Sequence, residues 1–470
     1  MRKKVVLYNP EAVFFDMPLA LLAVGSVLDS SEYEVKIIDA RIEPKAEELL
    51  LKECENALCL GVTSLTGKPI LNALHATRKV KEQFNELPVI WGGWHTSLFP
   101  KETLNDEPSI DISVQGQGEI TFREIVDRLA TKQSVNDVKG ICYRYKGEII
   151  QTPPRPLENM DDLPPVNYDL IDVEAYFKKK GVRQFDYISS TGCYFRCAFC
   201  ADPFVFQRKF SAIEPERMGK ELEAHYKKYR FTDINFQDET FFTYRKRAIA
   251  IANEFILRGI KTTWAGTMRA DQADRLTEED FQLLKKSGLR RVLIGVESGS
   301  QEMMDWLQKD IKMEQVYAAA ERCKKYDINV IFPFIVGFPE ETSKSMFASL
   351  NMARELRSKS NGFTTPIFYF KPYPGSKITS EVVEKGYKLP RTIEEWGDFD
   401  YIGSSGPWVS NEDYNLVEHF KFYNKVAWKK GASLMFPLKY VARWRTKKHN
   451  YNFPIEKWII ERLLPVQELS

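Results

Sequence analysis

At 470 residues the sequence is long for a single hydrophobic core, so two or three domains are expected. Its 43% hydrophobic and 28% charged residues exclude a disordered or fibrous chain, and 67 Lys+Arg against 65 Asp+Glu, net +2, gives no reason to expect nucleic acid as a partner. No apolar run approaches the ~18 residues of a membrane span, and the first apolar stretch breaks at Asn9-Pro10 before a secretory signal can form, so a cytoplasmic protein is expected.

Over residues 1–145, short apolar runs alternate with helical patterns. KKVVLYNP, YEVKIIDA, NALCLGVTSL, LPVIWGG and IDISVQGQ read as buried parallel strands, with helices in MPLALLAVGSVLDS, KAEELLLKECE, GKPILNALHATRKVKEQF and GEITFREIVDRLAT. This is the pattern of a doubly wound, Rossmann-like α/β sheet, which binds ligands beyond the carboxyl ends of its strands. VKGICYRYKGEIIQT then reads as a hairpin. Residues 146–182 hold five prolines between Pro153 and Pro165 and read as an extended inter-domain connector.

A second βα rhythm occupies 183–400. FDYISSTG, DINFQDET, KTTWAGTMRA, RVLIGVESG, NVIFPFIVGFP and TPIFYFKPYPG are six strand candidates, each followed by room for a helix. They suggest a partial (β/α)6 TIM barrel with its chemistry at the strand carboxyl ends. Residues 401–470 form a basic, helical, Trp-rich region: from Lys421 to Arg462 there are 11 Lys/Arg against Glu456 and Glu461, with Trp428, Trp444 and Trp458 interleaved. That mixture fits either a cap on the barrel or a helix resting on anionic lipid.

Of seven cysteines, four are scattered in apolar surroundings (Cys54, Cys59, Cys142, Cys323) and read as core thiols, whereas Cys193, Cys197 and Cys200 crowd into TGCYFRCAFC as C-x3-C-x2-C. Three thiolates on a short loop can take three corners of a cubane cluster and leave one iron open. A structural zinc site is the competing reading, but no second ligand pair lies at a suitable spacing.

The C-x3-C-x-aromatic-C motif, with Phe199 as the aromatic, resembles the radical S-adenosylmethionine (SAM) superfamily. The resemblance implies a [4Fe–4S] cluster on the three cysteines whose open iron binds SAM. One-electron cleavage then gives methionine and a 5′-deoxyadenosyl radical. It places Phe199 near the adenine and Asp238-Glu239 near the SAM amino end, although DET stands here where many members carry Gly-Gly-Glu. Arg269 falls where a guanidinium could hold the SAM carboxylate. Glu297 in GVESG falls at a ribose or amino contact, and Gly337 in IVGFPEE at a close backbone approach to the adenosine.

The first sheet lacks GxGxxG, which argues against a dinucleotide. Instead Thr63-Ser64-Leu65 ends the third strand, and 26 residues separate Leu65 from Gly92-Gly93 at the end of the fourth. This resembles the S/T-x-L…GG pattern of cobalamin-binding domains. The family's D-x-H-x-x-G then falls on Asp16-Met17-Pro18-Leu19-Ala20-Leu21, where Asp16 survives and Pro18 replaces the axial histidine. By that reading cobalamin is held without its usual imidazole ligand. His95, beside Trp94, reads as a structural histidine.

Domain order over roughly 400 residues resembles the cobalamin-dependent (class B) radical SAM enzymes. The implied function is methylation of an unactivated carbon in a small or lipid-like substrate. Its cofactors would be cobalamin, SAM and a [4Fe–4S] cluster, with electrons from an external one-electron donor such as a flavodoxin or ferredoxin. The alternatives are a radical cyclisation, rearrangement or oxygenation in the same architecture, and a non-catalytic iron–sulfur electron carrier. A peripheral membrane contact through the basic region fits a lipid-like substrate.

Overall fold

In the computed structural model, residues 2–399, 406–428 and 436–463 are described. Two compact units emerge. The first comprises Met1–Glu239, Asn253–Thr263 and Tyr373–Asp400; the second comprises Thr240–Ala252, Trp264–Pro372 and Tyr401–Ser470.

The first unit is built on a seven-stranded sheet. Its strands are β1 (Lys3–Asn9), β2 (Tyr33–Asp39), β3 (Ala57–Thr63), β4 (Val89–Gly92), β5 (Ile112–Val114), β6 (Ile141–Tyr145) and β7 (Glu148–Gln151), in the order β2-β1-β3-β4-β5-β6-β7. The first five pair in parallel, and the expected hairpin, β6–β7, continues the sheet antiparallel from β5. Continuous apolar runs form these strands because both faces are buried. Val5, Leu7 and Ile90 pack into one core, while Val6, Leu60, Val62 and Trp91 pack into the other. Each fully buried aliphatic side chain contributes about 1.5–3 kcal/mol. The order reverses direction at β1, which has β2 on one side and β3 on the other, so a crevice opens beyond the carboxyl ends of β1 and β3.

The proline-rich stretch is not extended throughout. Asn159 and Asn167 each accept a hydrogen bond from the backbone two residues on and start single 3-10 turns at Met160–Asp162 and Tyr168–Leu170. A helix, Val173–Lys180, follows. Asp172 caps its N-terminus, three lysines face the dipole at its end, and Gly181 stops it in the left-handed conformation at φ +67°.

Beyond it, β8 (Gln184–Tyr187) pairs in parallel with β11 (Asp233–Phe236), and the short β9 (Ser190–Thr191) and β10 (Ser211–Ala212) pair antiparallel. In the second unit the parallel order is β12 (Thr263–Met268), β13 (Leu289–Ile294), β14 (Asn329–Ile331) and β16 (Phe363–Thr364). The expected strand NVIFPFIVGFP is divided: Pro333 cannot donate to a ladder, so the chain ends β14 and resumes as β15 (Phe334–Val336), which pairs with β17 (Ile367–Tyr369). The chain thus carries six parallel strands alternating with helices, the (β/α)6 pattern. Three C-terminal helices follow it in the chain, Asn411–Ala427, Phe436–Lys448 and Ile455–Leu463; Lys429 and Lys430 of the basic region lie outside the described residues. Among the described residues, no helix is long and apolar enough to cross a membrane.

Candidate active site

Beyond β1, β3 and β4 the first unit encloses a cavity of about 450 Å³. Asp16, Pro18, Thr63, Ser64, Leu65, Gly92 and Gly93 all line it, as does Thr191 from β9. The TSL and GG loops lock together through backbone. Ser64 donates to the Gly92 carbonyl from both its N–H (2.7 Å) and its hydroxyl (2.9 Å), and the His95 N–H donates to the Ser64 carbonyl at 3.2 Å. Gly93 sits at φ +104°, where a Cβ would lie 2.6 Å from the Ser64 carbonyl oxygen, so only glycine closes this junction. Gly92 and Gly116 instead leave bare backbone beside open space, with no neighbour closer than 3.9 Å to a Cβ at either. The amide nitrogen of Gln117, also in the wall, is buried without a hydrogen-bond partner. His95 stays out of the cavity wall. It pairs with the Thr66 hydroxyl at 3.2 Å and packs against Phe99 and Trp396, and burial pushes its pKa down to about 3.

The Asp16–Leu21 segment is held by charges that no motif announced. Buried Arg41 pairs with Asp39 at 2.7 Å and donates to the Phe14 and Asp16 carbonyls, while the Tyr176 hydroxyl donates to Asp39. Buried Asp186, in β8, accepts the Met17 N–H at 2.8 Å and pairs with Lys180. Burial raises the Asp186 pKa, an effect Lys180 opposes. The only sequence signal was a carboxylate inside an apolar strand, as in Gln184-Phe185-Asp186-Tyr187, which demands a buried partner.

The three-cysteine loop leaves from β9 and returns through β10, so one antiparallel pair clamps both of its ends. Gly192 opens it at φ +77°, and a Cβ there would lie 2.3 Å from the Lys209 carbonyl oxygen. Asp238 fixes the approach by accepting from the Ser189 N–H and both the Ser189 and Ser190 hydroxyls at 2.5–2.8 Å, so it braces the loop. Cys193, Cys197 and Cys200 are partly exposed, whereas the other four cysteines are buried. Burial, then the Asp202 charge, pushes the Cys200 thiol up to about 12, against an opposing hydrogen bond from the Asp202 N–H. Asp202 is buried without a well-formed hydrogen bond to either oxygen and is pushed up to about 7; the Cys193 N–H offsets this only in part. Glu239 is accessible to water. Desolvation by the surrounding protein, then the Asp202 charge, raises its carboxyl to about 8, while the Gly192 N–H partly opposes the rise. Phe199, within the same loop, is half-buried.

Arg269, Glu297 and Gly337 belong to the second unit. Arg269 is buried and committed to Asp271 at 2.8 Å and to the Lys309 carbonyl. Lys309 in turn pairs with Glu297 at 2.7 Å, and Gly295 makes room for that pair, since a Cβ there would lie 2.3 Å from the Glu297 carboxylate. Glu297 is held at φ +67° by its bridge to Phe334. Gly337, at φ +73°, donates to Glu341 and accepts from the Trp408 indole at 2.6 Å.

A mostly parallel sheet with a glycine-edged cavity and a loop bearing three thiols thus lie in one unit. Comparison with known proteins gives the class. Residues 9–126 match the B12 binding domain and residues 187–353 the Radical SAM superfamily. The chain is 30% identical over 416 residues to an uncharacterized methyltransferase, PH0819, of Pyrococcus horikoshii, covering 86% of this chain and 87% of that one. It is 24% identical over 338 residues to the anaerobic magnesium-protoporphyrin IX monomethyl ester cyclase of Synechocystis, covering 71% of this chain and 67% of that protein. Among solved structures, the cobalamin-dependent S-adenosylmethionine radical enzyme OxsB, with aqua-cobalamin and S-adenosylmethionine bound, superimposes with a TM-score of 0.72 at 19% identity, covering 99% of this chain and 75% of that one.

The chain belongs to the cobalamin-dependent radical SAM enzymes, whose cofactors are cobalamin, SAM and a [4Fe–4S] cluster. Its residues fit those groups. The bare backbone of Gly92 and Gly116 and the unsatisfied Gln117 amide suit a large ligand rich in carbonyl acceptors. Three partly exposed thiols on one clamped loop match in number the protein ligands of a cluster with one open iron.

Proposed function

We propose that the protein methylates an unactivated carbon of a small or lipid-like substrate. The observation that carries this reading is continuity: the cavity that suits cobalamin is walled in part by Thr191, two residues before Cys193, so cofactor and thiol loop share one wall. Cys193, Cys197 and Cys200 would hold the cluster, and Thr63, Ser64, Leu65, Gly92, Gly93 and Asp16 would line the cobalamin site. Bound there, the cluster supplies the electron that cleaves SAM and cobalamin supplies a methyl carrier.

The chain's own residues then have definable tasks. Asp238 braces the strand that leads into the cysteine loop. Glu239 would accept hydrogen bonds from the SAM ammonium group; desolvation and the Asp202 charge raise its pKa, and an arriving cation favours the ionised form. Phe199 would pack beside the adenine. Pro18 lines the cavity and has no side-chain nitrogen to offer a metal, so this position would supply no imidazole to a bound cobalamin. Electrons would come from an external one-electron donor. The resemblance to a cyclase supports a second reading, radical ring closure without methyl transfer.

Feeding trideuteromethyl-methionine to cells with and without the gene separates the two. Methylation predicts a gene-dependent metabolite that carries the intact label. A gene-dependent product without label supports cyclisation and overturns methylation.

A further inference from the structure

The C-terminal helices of the second unit present an outward face that no cofactor requires. In Phe436–Lys448, Ala442, Arg445 and Thr446 are buried. On the opposite side Tyr440, Val441 and Trp444 follow one another at helical spacing and lead to exposed Lys447 and Lys448. Beyond the turn, Phe453, Ile455, Trp458 and Ile459 are exposed as well. Among the described residues, seven of the nineteen exposed large hydrophobic side chains fall between Tyr440 and Ile459. Such density on a surface marks a contact face rather than scatter.

The segment's internal charges are arranged to keep this face outward. Arg445 turns inward, donating to the Asn450, Asn452 and Phe453 carbonyls and pairing with Glu456, which also accepts from the Tyr423 hydroxyl. That clamp directs Glu456 toward the unit and leaves Ile455 and Trp458 on the outside. Arg443 lies over the Trp428 ring at 4.3 Å and is likewise used internally. Lys447 and Lys448 remain along the aromatic stripe.

We propose that this face seats on an anionic lipid surface, with Tyr440, Trp444 and Trp458 in the headgroup layer and the lysines against lipid phosphates. Charge complementarity selects this occupant. Lysine is depleted from protein–protein interface cores, whereas aromatic residues flanked by lysine are the composition of membrane-surface helices. The inference does not depend on the reaction proposed above.

The test uses the full-length chain and sedimentation with vesicles of phosphatidylcholine alone or mixed with phosphatidylglycerol. Binding is expected only to the anionic vesicles, with a blue shift of tryptophan emission and release at high salt. Lys447→Glu with Lys448→Glu should weaken binding at least tenfold, from about fivefold per lysine lost. Trp444→Ser with Trp458→Ser should weaken it comparably, both variants melting as the parent does. Two outcomes overturn the proposal: equal absence of binding to both vesicle types, or concentration-dependent self-association by light scattering that Trp444→Ser abolishes, which would mark a protein interface.

Discussion

The cavity beyond β1, β3 and β4 and the cysteine loop beyond β9 lie in one unit, yet they are built from opposite materials. The cavity is shaped by backbone: two interlocked loops, a glycine at φ +104° with no room for a side chain, and glycines that leave the wall bare. The loop is built from titratable side chains: three partly exposed thiols with Asp202 and Glu239, both carboxyls raised. A backbone-built site is broken by adding an atom, a side-chain-built one by removing an atom. The difference predicts which substitutions separate the two cofactors.

The largest effect belongs to the loop. Cys197→Ala should lower iron bound after anaerobic reconstitution to about a tenth of the parent or less and abolish SAM cleavage to 5′-deoxyadenosine. The variant should still take up cobalamin to within about twofold, because no thiol lines the cavity. Joint loss of cobalt and iron, by elemental analysis, would show that the two sites do not separate.

Next come the glycines. Gly93→Ala combines a left-handed backbone with a 2.6 Å approach to the Ser64 carbonyl, and should cost about 2–4 kcal/mol in denaturant unfolding. Gly116→Ala, at φ +66° with nothing within 4 Å, should cost only about 1 kcal/mol. If the open space over Gly116 is where the corrin lies, both variants lose cobalamin in equilibrium dialysis despite their unequal stabilities. Retention by Gly116→Ala would move the ligand elsewhere in the cavity.

A smaller and purely spectroscopic change is expected from Pro18→His. Restoring an imidazole to the cavity wall should add nitrogen hyperfine splitting to the electron paramagnetic resonance signal of bound cob(II)alamin. An unchanged signal would mean that the Asp16–Leu21 segment does not face the cobalt.

How much of this was legible in the sequence follows from the same contrast. Short-range order was readable. The parallel strands announced themselves as apolar runs. The cysteine motif was readable because it is a single loop, and the TSL and GG loops because each directly ends a strand, and those strands, β3 and β4, pair side by side. The braces were not readable, because they are pairings across long stretches of chain: Met17 with Asp186, Tyr176 with Asp39, Ser189 with Asp238. Arg269 shows the limit from the other side. Its strand-end position suggests a ligand contact, but that Asp271 and the Lys309 carbonyl also hold its guanidinium could not be read from the sequence.

The smallest predicted effect sets the two sites against each other through pH in protein free of cofactors. His95, beside the GG loop, has a folded pKa of about 3 against an ordinary 6.5, so folding favours its neutral form. The stability this represents is complete above pH 6.5 and is lost as the pH falls toward 3, by up to a few kcal/mol. Glu239 has the opposite sign. Its folded pKa of about 8 lies above the ordinary 4.5, so stability is complete below pH 4.5 and declines as the pH rises toward 8. The decline is shallow because the carboxyl is accessible to water. Melting temperature against pH should therefore fall on both sides of a maximum. His95→Gln should lessen the acid limb alone, to which buried His225, pushed down to about 4, also contributes. Glu239→Gln should lessen the alkaline limb alone, which Asp202 shares. If either substitution flattened both limbs, the two sites would be coupled in folding, and the separation expected of Cys197→Ala would fail with them.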